Sequence, residues 1–116
     1  MEALVRIQVL RDLGARLGPR VAVQVVQHYL ERLPVRVAQL ERLLAEPDTA
    51  RAHTVADVLA ESSSTVGAAA LAGRLAPVVA ALGDGDVEPA RAALKEIKKL
   101  AAGTALELEA VIHRAA

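Results

Sequence analysis

His53, Asp57 and Glu61 follow one another at intervals of four residues. On a helix that spacing stacks three side chains on one face over two turns. An imidazole with two carboxylates can supply metal ligands, or a weak ion pair. Three exposed groups strung over two turns make a poor closed coordination shell. A solvated helix face is therefore the expectation, and no metal is assigned. The adjoining Ser62-Ser63-Ser64 offers hydroxyls. No His and carboxylate stand in relay to them, so a serine hydrolase is not indicated. The chain has no cysteine, which excludes disulfides, thiolate zinc sites and cysteine nucleophiles. His28, beside Tyr29, and His113, near the end of the chain, read as structural or solvated. Lys95, Lys98 and Lys99 read as a solvated basic face that an acidic partner could use. No enzyme activity and no cofactor follows from these residues.

Helices must position the stripe. Breakers divide the chain into five segments: about Glu2 to Leu13, Pro19 to Ala45, Asp48 or Thr49 to Ser64, Ala68 to Leu82, and Pro89 to His113. The second has an apolar seam of Val26, Leu30, Leu33, Val37, Leu40 and Leu44, in alternating steps of four and three. Pro34 falls within it and predicts a kink or break; Pro77 predicts a second kink in the fourth segment. The third segment's expected seam is Ala52, Val55, Leu59, Ser62 and Val66. Asp57 stands about 160° from Val55 and Leu59, so His53, Asp57 and Glu61 are expected to face solvent. Leu71, Leu75, Val78 and Leu82 line the fourth segment, and Leu94, Ile97, Ala101, Leu108 and Val111 the fifth. Short connections between amphipathic helices favour antiparallel neighbours. The expected fold is all-α: an up-down-up-down four-helix bundle, capped by a short N-terminal helix, forming a single domain over residues 1–116.

Composition narrows the function classes. Hydrophobic residues make up 53% of the chain, yet Tyr29 is the only aromatic. The core must be aliphatic, with Ala and Leu favouring helix. Fourteen basic and fourteen acidic residues cancel, so no strong field points to nucleic acid or an anionic membrane. The lack of aromatics also removes the usual stacking platform for single strands. Residues Met1 to Arg6 carry no basic leader and apolar run, and no uncharged stretch is long enough to span a bilayer. A cytoplasmic location is the expectation.

The stretch from Ala56 to Ala68, followed by Leu71 and Leu75, resembles the signature A-H-x-L-K-G-S-S-x-x-x-G-A-x-x-L of histidine-containing phosphotransfer (HPt) domains. Ala56, Leu59, Ser62, Ser63, Gly67, Ala68 and Leu71 fall in register. Leu33-Pro34, Leu40, Leu44 and Asp48 resemble the family's approach to that motif, so the likeness covers nearly the whole chain. It departs at the chemistry: the family's phosphoacceptor His corresponds to Asp57, its Lys to Ala60 and its Gly to Glu61. The resemblance implies a retained scaffold with a lost acceptor. A second register aligns Ala52-His53-Thr54-Val55 with the family's A-H-T-L, but needs a four-residue insertion before Ser62. The ungapped register is preferred.

The resemblance thus implies a degenerate HPt module that docks a receiver domain of a response regulator, or a histidine kinase, without carrying phosphate. Its docking surface would include His53, Asp57, Ala60, Glu61 and Ser64. The alternatives are an active phosphotransfer protein using His53 as acceptor, and a helical interaction or homodimerisation domain outside any phosphorelay.

Overall fold

Glycine and proline set most of the helix boundaries. The computed structural model describes residues 3–46 and 48–115, which form five α-helices: α1 (Ile7–Leu17), α2 (Pro19–Ala45), α3 (Thr49–Thr65), α4 (Ala69–Gly83) and α5 (Glu88–Ala115). No strand occurs among the described residues. Pro19 occupies the first turn of α2, where its missing N–H costs nothing. Asp48 caps α3 by accepting the Arg51 N–H at 3.1 Å.

Helices α2 to α5 close into an antiparallel ring, each packed on two neighbours, with α1 laid against α2. Leu40, Leu59, Leu71, Leu75, Ile97 and Leu108 are fully buried along its axis. Ala52, Ala56, Ala68, Ala90 and Ala93 are equally buried, and their small side chains let the backbones approach. Among the described residues no helix is long and apolar enough to cross a membrane.

Three local expectations are corrected. The first helix starts at Ile7 and runs through Gly14 to Leu17; Glu2, its expected start, and Pro47, in the α2–α3 connection, lie outside the described residues. From Ala3 to Arg6 the chain is not helical: it bends at Leu4 and Val5 and is extended at Arg6. Leu4 and Val5 N–H groups donate to the Glu107 carboxylate at 3.1–3.2 Å. Arg6 N–H donates to the Gly67 carbonyl at 2.8 Å. Helix α2 is unbroken through Pro34, so of the kink or break expected there the break does not occur; α4 likewise runs on through Pro77. Both rings sit on the exposed side of their helix, away from the packed faces they would disrupt.

The third correction concerns α3. Its buried residues are Ala52, Ala56, Leu59 and Ser63, continued by Val66 after its end, while Val55 and Ser62 are half-buried. The core stripe is rotated by roughly 50° from the expected seam. Ser63 is drawn inward by a 2.7 Å hydrogen bond with the Tyr29 hydroxyl, on a ring buried in α2.

Candidate functional site

Helix α3 is unbroken from Thr49 to Thr65, so His53, Asp57 and Glu61 do lie one turn apart. The rotation of the helix changes their surroundings. Glu61 is exposed, but His53 and Asp57 are half-buried. The His53 ring packs over α4: its Nε2 lies 3.5 Å from where a Cβ on Gly83 would stand. The shoulder carrying His53 and Asp57 therefore faces α4 as well as solvent. Ala60, three residues beyond Asp57, is half-buried, and Ser64 is exposed.

Charge on this shoulder is one-sided. Among the described residues, neither Asp57 nor Glu61 has an ion-pair partner. The basic residues of α3 and α4 are engaged elsewhere, Arg51 with Asp48 at 3.6 Å and Arg74 with Glu96 of α5 at 3.0 Å. Among the described residues no three His, Asp or Glu side chains converge on a point where a metal ion could be held. The arrangement leaves the two carboxylates without a paired cation among the described residues. It offers no countercharge to the equatorial oxygens of a phosphoryl group in transfer.

The three serines part company. Ser62 meets Arg36 of α2 at 3.5 Å, Ser63 is the buried partner of Tyr29, and Ser64 points to solvent. Burial pushes the Tyr29 phenol above its ordinary value, opposed by the Ser63 hydrogen bond and by the nearby positive charge of Arg36. The Tyr29–Ser63 pair escaped the sequence reading. Its one signal was a lone aromatic beside an aliphatic seam, and the 34-residue separation of the partners is set by helix packing alone. His28 and His113 are both exposed, and Lys98 is tied to Glu41 at 3.1 Å.

A groove of about 380 Å³ lies elsewhere, between α2 and α5. Its walls are mostly apolar, including Leu30, Pro34, Ala101 and Ala105. It contains none of the α3 stripe.

No family model matches the chain, and no curated protein matches it. The whole bundle is nevertheless similar to a solved structure, histidine-containing phosphotransfer protein B (HptB) from Pseudomonas aeruginosa PAO1. The TM-score is 0.89 at 18% sequence identity, covering 98% of each chain. The five-helix fold of this chain is thus that of an HPt protein.

Proposed function

We propose that the chain is an HPt-like module of a two-component phosphorelay, which docks a receiver domain or a histidine kinase without itself carrying phosphate. The observation that carries this reading is the α3 shoulder, where the ungapped register aligns Asp57 with the acceptor histidine of the HPt signature. The HptB-like fold supports the scaffold half of the reading. The absence of any cation paired with Asp57 or Glu61 among the described residues supports the other half. Asp57 leaves a negative charge where a phosphohistidine would carry one, although a carboxylate is shorter and has fewer oxygens. His53, Asp57, Ala60, Glu61 and Ser64 form the docking stripe. The module acts by occupying a partner that an active HPt protein would otherwise engage.

His53 is the other candidate acceptor. Its ring is half-buried against the last residue of α4. That helix end carries partial negative charge, which disfavours an incoming phosphoryl group. The test of docking is calorimetric titration of the chain with the receiver domains and kinase domains of its own host. At least one is expected to bind. Reversing the stripe with Asp57→Arg and Glu61→Arg should weaken that binding by roughly tenfold. Binding to none of them, or binding indifferent to the double reversal, would remove the proposal.

A further inference from the structure

The flank of α3 turned towards α2 has the opposite electrical character to the Asp57 shoulder. On α2, His28, Arg32 and Arg36 are spaced by four residues and share one face. Two shallow cavities lie along the groove between α2 and α3. The first, about 150 Å³, is lined in part by His28, Arg36, Ser62 and Thr65. The second, about 290 Å³, is lined in part by Gln39, Arg42, Arg51 and Thr54. No carboxylate lines either one.

Countercharge is scarce here. Among the described residues, Arg32, Arg36 and Arg42 form no ion pair. The polar contact of the Arg36 guanidinium is with Ser62, at the long distance of 3.5 Å. Arg51 is the exception, being 3.6 Å from Asp48. Glu31 and Glu46 are exposed on or beside α2 but line neither cavity. By contrast, Lys98 at the α2–α5 contact and Arg74 at the α4–α5 contact are both paired.

Apolar surface accompanies the charge. Val58 lies on the line Thr54, Val58, Ser62 that joins the two cavities along α3, and it is 37% exposed. Val35, next to Arg36, is 41% exposed. From His28 to Arg42 the stripe is about 21 Å long, enough for six or seven extended residues or about four helical turns. Guanidinium groups bind carboxylates in a bidentate fork. Nucleic acid fits less well: the net charge is zero, and the single aromatic ring is buried, so bases find no stacking platform.

We propose that the α2–α3 groove is a docking site for an acidic segment of a partner protein. Arg32, Arg36 and Arg42 hold its carboxylates, and Val35 and Val58 take its interleaved apolar side chains. This does not depend on the phosphorelay reading, since it uses the other flank of α3.

The probe is a fluorescein-labelled peptide of Glu residues interrupted by Leu, titrated into the full chain by anisotropy and mapped by amide shifts. Saturable binding is expected, with the shifts centred on α2 and α3. Arg36→Glu with Arg42→Glu should weaken it by at least about tenfold. Val58→Glu, a change on an exposed helix face, should weaken it while leaving every arginine in place. Lys95→Glu with Lys99→Glu, which moves the net charge equally, should leave it unchanged. Circular dichroism establishes that each variant is folded. The proposal is overturned if binding is not saturable or if the lysine variant loses as much as the arginine variant. It is also overturned if duplex DNA binds more tightly, if inorganic phosphate competes as well as the peptide, or if the shifts reflect self-association with a second copy.

Discussion

Incubated with a phosphorylated receiver domain, the chain is expected to accept phosphate at least about a thousandfold more slowly than an HPt protein with a histidine acceptor. In the ordinary reaction, the P–O bond to the receiver's aspartate breaks as a bond to an imidazole nitrogen forms. On the proposed reading, the corresponding side chain here is the Asp57 carboxylate. Ala60 brings no charge to the developing transition state, and Glu61, exposed one turn on, brings the wrong one. A well-placed donor or cation is worth about 10²–10³ in such a step, and this shoulder has none. The triple change Asp57→His, Ala60→Lys and Glu61→Gly should recover acceptance if the docking surface is intact. The Glu61→Gly component costs about 1 kcal/mol of helix stability, so folding is checked alongside. Asp57→His alone should recover less, because Glu61 remains. Radiolabel transfer reads all three. Acid-labile label on the unaltered chain that disappears in His53→Ala would make His53 the acceptor and end the degenerate reading.

A larger stability effect is expected at Gly67 than at any other glycine of the chain. Gly67 has φ +77°, and a Cβ there would stand 2.8 Å from the Arg6 carbonyl oxygen. Gly67→Ala therefore combines left-handed strain with a backbone collision, at the point where the Arg6 N–H bonds to the Gly67 carbonyl. A loss of about 3 kcal/mol is expected, seen as a fall in Tm of roughly 12 °C. Gly85 has nearly the same φ, +78°, with nothing within 4 Å of a new Cβ, so Gly85→Ala should cost only about 1 kcal/mol. Gly73 lies within α4 in open space. Gly73→Ala should stabilise by roughly 0.5–1 kcal/mol. Equal losses for Gly67→Ala and Gly85→Ala, measured by thermal melts, would show that the Arg6 contact contributes nothing.

That glycine also shows how far the sequence carries. Gly67 is legible as a turn, because glycine ends α3 in a stretch otherwise rich in helix formers. The reason it must be glycine is not legible, since the obstructing oxygen belongs to Arg6, 61 positions earlier. The seams of α2 and α4 were readable for a simpler reason. Leu33, Leu40, Leu44, Leu71, Leu75 and Leu82 are large, periodic and buried, and nothing of similar size competes for the interior. Helix α3 lacks that contrast. Ala52 and Ala56 fill its core face while the larger Val55 and Val58 stand further out, so size misleads and predicts the seam about half a residue's rotation away. The same rotation takes His53 and Asp57 out of the open solvent that the pattern predicts for them. The strap before Ile7 consists of helix-compatible residues, so local pattern predicts helix there. Its actual anchors are Glu107 and Gly67, which local pattern does not reveal. The order of residues along the α3 stripe was recoverable because it needs only an unbroken helix. Whether a partner uses that stripe depends on surfaces this chain does not contain.

Tyr29 gives the protein a spectroscopic property. With no Trp or Phe and one Tyr in the sequence, near-ultraviolet absorbance and intrinsic fluorescence come from one phenol, lodged between α2 and α3. The optical signal of the whole chain is thus a local gauge of that contact. Because burial raises the phenol's ionisation above its ordinary value of 10.0, the neutral form is favoured in the folded state. The stabilisation linked to it is fully present below about pH 10 and drains away as the pH climbs through the folded value. In an alkaline titration, a phenolate band appearing at the ordinary value would mean the α2–α3 contact had already opened.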